Sequence, residues 1–86
     1  MAHYTLDILK SSHIYSRLNR TNILQSKICG CFYCITTFQP SDVMEWTDND
    51  QTAICPNCGI DSVIGDKSNY PVVDIEFLNE MKSFWF

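Results

Sequence analysis

The chain has 86 residues, a formal net charge of −4 and 45% hydrophobic residues, enough for one small domain whose core alone gives modest stability. No apolar run approaches the roughly 20 residues that span a bilayer, so the sequence predicts a soluble protein. The acidic balance disfavours a general DNA- or RNA-binding protein, because such binding depends on dense lysine and arginine contacts with phosphates.

Charge is distributed unevenly along the chain. Residues 1–34 hold four basic residues against Asp7 alone and carry a formal charge of +3. Residues 35–86 hold two lysines against nine acids and carry −7. A basic N-terminal segment therefore precedes an acidic remainder, and a narrow basic face remains available for a partner.

The cysteine content indicates a reducing compartment. The chain has five cysteines, whereas secreted domains favour even numbers paired in disulfides. The N-terminus lacks the charged start, apolar run and small-residue cleavage site of a secretory signal. We therefore expect a cytoplasmic location.

The N-terminal third is predicted to be an arm followed by a helix. Residues 1–11 alternate loosely and are assigned to an N-terminal arm, with a short strand and a helical turn as alternatives. Residues 12–28 are predicted as a helix, which Ser12 can cap. Its apolar residues fall on one broad stripe, formed by Ile14, Leu18, Leu24 and Ile28. Three basic residues lie toward the flank of the stripe: Arg17, Arg20 and Lys27.

The central region, residues 29–65, is predicted to form a zinc ribbon. Residues 35–38 are β-branched and aromatic, which suits a strand that Pro40 then ends. Ser41 is predicted to cap a short helix reaching Trp46, which we expect in the core. Residues 47–51 are predicted as a turn, residues 52–54 as a strand, residues 60–65 as strand or turn and residues 65–69 as a loop.

A C-terminal helix is predicted over residues 72–86. Asp74 can cap it, and apolar residues recur at helical spacing. These residues are Phe77, Leu78, Met81, Phe84 and Trp85. The stripe either seals the zinc module or docks onto a partner protein.

Two Cys-x-x-Cys motifs, separated by twenty residues, predict one metal site. Thiolates three positions apart in a tight turn can point at one ion, and two such turns complete the tetrahedron of a closed structural zinc site. The expected ligands are Cys31, Cys34, Cys55 and Cys58. Rubredoxin-like iron and redox dithiols are the alternatives.

The remaining cysteine and the two histidines are weaker ligand candidates. Cys29 can replace Cys31, but the gap between Cys31 and Cys34 matches the second motif. We therefore expect Cys29 to be a buried or free thiol. His3 and His13 are expected at the surface, because four cysteines already complete the site.

Catalysis finds little support in the sequence. Four cysteines close the metal sphere, whereas catalytic zinc keeps an open position. No phosphate-binding loop, metalloprotease motif or nucleophile elbow is present. Asp61 follows the second motif, where a turn or cap hydrogen bond explains it better than acid–base chemistry. We expect a protein that is not an enzyme.

The sequences around the two Cys-x-x-Cys motifs resemble those of a known family. The strings CGCFYC at residues 29–34 and TAICPNCGIDSVIG at residues 52–65, with the closing Phe77-Leu78 to Trp85-Phe86, resemble small, uncharacterised bacterial and phage-associated cytoplasmic zinc-ribbon proteins. The resemblance covers roughly residues 12–86. It implies a zinc ribbon and a cytoplasmic location, and it carries no established activity.

Two functions follow as hypotheses. The first is a non-enzymatic, zinc-stabilised interaction or regulatory module that engages a protein partner through its acidic face or its C-terminal helix, with Phe77, Met81, Phe84 and Trp85 as contact residues. The second is a nucleic-acid-binding zinc ribbon in which basic side chains contact phosphates and aromatic rings stack on bases. Its residues are Arg17, Arg20 and Lys27, with Phe32 and Tyr33 as stacking groups. The predicted fold class is a small α+β zinc ribbon, with both motifs on a short antiparallel β element between N- and C-terminal helices.

Overall fold

A three-stranded antiparallel sheet holds the first Cys-x-x-Cys motif at one end of its central strand. The computed structural model describes residues 4–86 and confirms a small α+β zinc ribbon. Its helices are α1 (Leu6–His13), α2 (Arg20–Gln25) and α3 (Ile75–Trp85). Its strands are β1 (Cys29–Cys31), β2 (Thr36–Phe38), β3 (Trp46–Thr47), β4 (Thr52–Ala53) and β5 (Val63–Gly65).

The strands form two small antiparallel sheets. In the first sheet, β1 lies between β2 and β5, with Cys31 opposite Thr36 on one side and Val63 on the other. In the second sheet, β3 pairs with β4, and Trp46 lies opposite Ala53. These pairings place the start of the first cysteine motif beside the segment that follows the second motif.

The predicted helix through Trp46 is wrong. A short 3₁₀-helix covers only Pro40–Asp42, and the chain then runs extended into β3. The Ile54 amide donates to the Glu45 carbonyl, which extends the pairing beyond the β3–β4 hairpin. Helix propensity is a weak prior, and here pairing within a short hairpin overrides it. Trp46 is half-buried rather than fully buried.

The N-terminal third also differs from prediction. Helix α1 begins at Leu6, capped by the Thr5 side chain, and ends at His13. The predicted single helix over residues 12–28 is therefore wrong, as is the assignment of residues 4–11 to an arm. A 3₁₀-helix covers Ile14–Ser16, and the helical path then breaks, since Leu18 has a φ of 49°. Residues 1–3 of the predicted arm lie outside the described residues.

Asn19 explains the break between α1 and α2. It is 3% exposed, and its amide nitrogen donates to the carbonyls of Tyr15 (2.8 Å) and Val63 (2.9 Å). Its amide oxygen accepts the Ala53 N–H at 3.0 Å. One buried side chain thus ties the N-terminal third to both sheets, and a continuous helix through residue 19 would be incompatible with these contacts.

Helix α3 closes the first sheet and the N-terminal helix into one hydrophobic core. The predicted cap is confirmed, because the Asp74 carboxylate accepts the Glu76 amide at 2.9 Å and the helix begins at Ile75. Phe77, Leu78 and Met81 are fully buried. Gly30 permits this packing, because a Cβ there would collide with the Val72 carbonyl oxygen and approach the Leu78 side chain.

Within residues 4–86, no helix combines the length and apolar character needed to cross a membrane.

The hydrogen bonds of Asn19 predict a large stability effect. Replacing Asn19 by alanine leaves buried backbone groups of β4 and β5 without their partner, and each such group costs about 1–3 kcal/mol. We expect Asn19→Ala to lower the free energy of unfolding of the metal-loaded protein by at least about 2 kcal/mol, measured by urea denaturation. Asn79→Ala, on the exposed side of α3, is the control and should change it by less than about 0.5 kcal/mol. Equal effects of the two substitutions would contradict the role assigned to Asn19.

Candidate metal centre

Two knuckles, residues 31–35 and 55–59, have the same backbone arrangement. In each knuckle the sulfur of the first cysteine, Cys31 or Cys55, accepts the backbone N–H groups two and three residues later at 3.4 and 3.5 Å. Its carbonyl oxygen accepts the N–H four residues later, from Ile35 or Gly59, at 3.0 Å. Each turn therefore directs backbone N–H dipoles at a sulfur, which favours the thiolate that a metal binds.

The fifth residue of each knuckle adopts a left-handed conformation. Gly59 has a φ of 79° and Ile35 a φ of 60°. Glycine enters this region without strain, whereas a β-branched residue rarely does. Ile35 is half-buried and packs against the hydrophobic core, and this packing offsets the backbone strain of its turn.

The four predicted ligands come together in one cluster. The sulfurs of Cys31, Cys34, Cys55 and Cys58 all lie within 4.8 Å of one another. The Cys31–Cys58 separation is 3.6 Å and the Cys34–Cys55 separation is 3.7 Å. Metal–sulfur bonds of about 2.3 Å at tetrahedral angles would separate the sulfurs by about 3.8 Å. The cluster therefore fits a four-coordinate metal ion with little rearrangement.

Two side-chain hydroxyl groups contact sulfurs of the cluster, and neither contact was predicted from the sequence. The Ser62 hydroxyl lies 3.0 Å from the Cys31 sulfur, and the Thr36 hydroxyl lies 3.0 Å from the Cys34 sulfur. Outer hydrogen bonds of this kind orient metal ligands. Ser62 is distant from Cys31 in sequence, so only the pairing of β1 with β5 reveals its contact, whereas Thr36 is a local neighbour of Cys34.

The thiols of the cluster do not share one protonation behaviour. Burial raises the pKa of Cys31 and of Cys58 above the usual thiol range. Burial also raises the pKa of Cys34, but hydrogen bonds from Thr36, Asn57 and neighbouring thiols outweigh it and bring the pKa to about 6. Four thiolates at this spacing repel one another, so the fully ionised cluster requires a cation.

Cys29 lies outside the metal cluster, as predicted. It is fully buried in β1, and burial, followed by the nearby Asp66 carboxylate, raises its pKa to about 12. His13 is half-buried rather than at the surface, with its ring stacked on Trp85 at a centroid distance of 3.8 Å. His3 lies outside the described residues.

The residues predicted to contact a protein partner are divided between core and surface. Phe77 and Met81 are fully buried, so their assignment to a partner surface is wrong. Phe84 and Trp85 are each 38% exposed. The Trp85 indole donates to the Leu9 carbonyl at 3.0 Å, which attaches the end of α3 to α1.

The proposed nucleic-acid contacts are only partly available. Arg20 lies 4.6 Å above the Trp46 ring and donates to the Asp50 carbonyl at 2.9 Å, whereas Arg17 and Lys27 are exposed. Phe32 is 1% exposed and cannot stack on a base, so this part of the prediction is wrong. Phe86 packs edge-on against the ring of Tyr33, and the Lys82 ammonium lies 5.0 Å from it.

Asp61 is exposed and lines a cavity of about 420 Å³ together with His13 and Arg17. Within the described part of the chain, its carboxylate makes none of the turn or cap hydrogen bonds expected of it.

Comparison of the chain with protein-family models, with curated proteins and with solved structures finds no match. The evidence for its function therefore comes from its own geometry.

Cys31 and Cys29 provide a matched test of the ligand set. Both are fully buried in β1, but only Cys31 belongs to the cluster. After refolding with zinc, we expect Cys29→Ser to retain one ion per chain and Cys31→Ser to lose stoichiometric binding, measured by native mass spectrometry. The reason is that thiolate ligation supplies on the order of 10–16 kcal/mol of apparent binding free energy in such sites. Retention of the ion by Cys31→Ser would show that the ligand set is wrong.

Proposed function

We propose that this chain is a non-enzymatic protein-interaction module whose fold is stabilised by one structural zinc ion. The observation that carries the proposal is the closed cluster of Cys31, Cys34, Cys55 and Cys58. With four protein ligands, a metal ion has no open position for water or substrate. The ion would stabilise the arrangement of the two knuckles, and function would depend on the surfaces that the knuckles hold in place.

Zinc is the ion best suited to such a role. A tetrahedral site of four sulfurs accepts zinc or iron, and zinc has no redox chemistry that the site would need to control. Five cysteines without a disulfide among them suit a reducing compartment such as the cytoplasm. The small size of the chain supports a stabilising role, because a core of this size gains much from a bound metal.

The nucleic-acid alternative has less support from the contacts. One of its three cations, Arg20, is engaged by Trp46, and one of its two stacking rings, Phe32, is buried. Non-specific affinity for nucleic acid depends on several simultaneous phosphate contacts. The net charge of −4 opposes such contacts further.

A closed metal sphere predicts that the ion is inert toward added ligands. We expect the cobalt-substituted protein to show the visible absorption of a tetrahedral thiolate site, unchanged when azide or cyanide is added below the concentration that removes the metal. The physical reason is that all four positions are filled by cysteine sulfur. A new absorption band with the cobalt still bound would show an open position and contradict a purely structural role.

An interaction module predicts a partner that depends on the metal-stabilised fold. We expect the zinc-loaded chain, immobilised and exposed to lysate of its native host, to retain a specific protein. The same chain stripped by chelator, and the Cys31→Ser variant, should retain much less of it. A zinc-loaded chain that retains nothing above the level of the Cys31→Ser variant would contradict the proposed function.

A further inference from the structure

An apolar groove lies on the N-terminal helices, on a surface that the metal site does not use. Its volume is about 590 Å³, and it runs from the end of α1 to α2 and the 3₁₀-helix Asp66–Ser68. Five of its lining residues determine what it can bind: Ile14, Arg17, Leu18, Asn22 and Lys67.

Two large aliphatic side chains border this groove and remain in solvent. Ile14 is 65% exposed and Leu18 is 63% exposed. Leu18 is held there by its backbone, which has a φ of 49° and donates its N–H to the Thr52 hydroxyl at 2.7 Å. The left-handed backbone conformation is unfavourable for leucine, so keeping this apolar side chain outside the core lowers the stability of the fold.

The polar lining of the groove has one sign of charge. Arg17 and Lys67 line it, and no aspartate or glutamate does. Within residues 4–86, neither cation forms an ion pair. Lys67 is therefore free to meet a carboxylate from outside the chain, and Arg17 is unpaired although it also lines the cavity that contains Asp48 and Asp61.

A buried hydrogen-bond acceptor adds an independent observation. The Asn22 side-chain oxygen is buried, and it is the one such side-chain atom without a hydrogen-bond partner in the described part of the chain. Buried acceptors are normally satisfied. Asn22 lines the same groove, and a rotation of its side chain toward the groove would let an N–H of a bound molecule satisfy this oxygen.

We propose that this groove binds an acidic peptide segment of the partner protein, with one large apolar side chain seated against Ile14 and Leu18. Carboxylates of the segment pair with Arg17 and Lys67, and a backbone or side-chain N–H donates to Asn22. The proposal rests on the proposed function and names the surface and the chemistry of the partner.

A second copy of the chain fits the groove less well. The acidic residues of this protein are concentrated in residues 35–86, whereas all but one of the residues that line the groove lie in residues 14–25, so a second copy would have to present a different surface. Such a contact would be heterologous, and heterologous contacts that do not close into a ring form open filaments. Nucleic acid also fits poorly, because the groove offers two cations and an otherwise largely apolar lining.

The test begins with peptides selected for binding. A displayed library of random peptides is selected on the zinc-loaded chain, and an enriched peptide is labelled for fluorescence anisotropy. We expect the enriched sequences to combine Asp or Glu with a large apolar residue. Their affinity should fall as salt is raised, because the charges are exposed and screened.

Matched variants then locate the binding surface. Lys67→Glu and Leu18→Asn should each weaken the selected peptide by about tenfold or more. Their controls are Lys27→Glu and Leu24→Asn, which change exposed residues outside the groove lining and should alter affinity less than about twofold. Asparagine tolerates the left-handed backbone of residue 18, and native mass spectrometry confirms that each variant keeps its ion.

Each remaining outcome overturns the groove assignment. If the selected peptides are not enriched in acidic and large apolar residues, the proposed chemistry of the partner is wrong. If Lys67→Glu and Lys27→Glu bind the selected peptide equally well, the proposed location of the binding site is wrong. Concentration-dependent dimerisation abolished by Leu18→Asn would assign the groove to a second copy, and selective binding of an oligonucleotide would assign it to nucleic acid. If the host partner is still retained by Lys67→Glu and Leu18→Asn, the groove proposal fails while the proposed function stands.

Discussion

The cost of ionising four closely spaced, partly buried cysteine sulfurs is the constraint on which the rest of this structure depends. The sulfurs lie within 4.8 Å of one another, and burial raises the pKa of Cys31 and Cys58. Without a cation, the fully ionised cluster is unfavourable, whereas a dication makes thiolate the preferred form. Binding of a metal ion would therefore join two knuckles that are distant in sequence and hold together the strands that carry them.

The four-cysteine cluster was predictable from the sequence because each knuckle is a local structure. Two cysteines three positions apart need only one turn to converge. Because the two motifs have equal spacing, the sequence alone favours Cys31 over Cys29 as the member of the cluster. The C-terminal helix and its Asp74 cap were predictable for the same reason, since helical periodicity and capping act over a few residues. The left-handed conformation of Ile35 was not predictable, because a β-branched residue rarely adopts it; the structure shows it in the same turn position as Gly59.

The wrong predictions concern residues whose partners are distant in sequence. Asn19 ends the helical path of the N-terminal third through hydrogen bonds to Ala53 and Val63, which lie 34 and 44 residues away. Trp46 is an exception, because it joins a local hairpin: its partner Ala53 follows after a turn in which residues 48–50 have positive φ. Phe77 and Met81 were assigned to a binding surface because an apolar stripe shows that a helix face is covered, but not what covers it.

The metal site and the groove on the N-terminal helices are linked by a short path of hydrogen bonds. Ser62, whose hydroxyl contacts the Cys31 sulfur, directly precedes Val63, whose carbonyl accepts from Asn19. Asn19 in turn follows Leu18, the residue that borders the groove. Loss of the ion would therefore disturb the backbone that presents Leu18 as well as the knuckles. If the groove binds the proposed segment, a structural metal would influence that binding without touching the groove, because the same buried polar contacts support both.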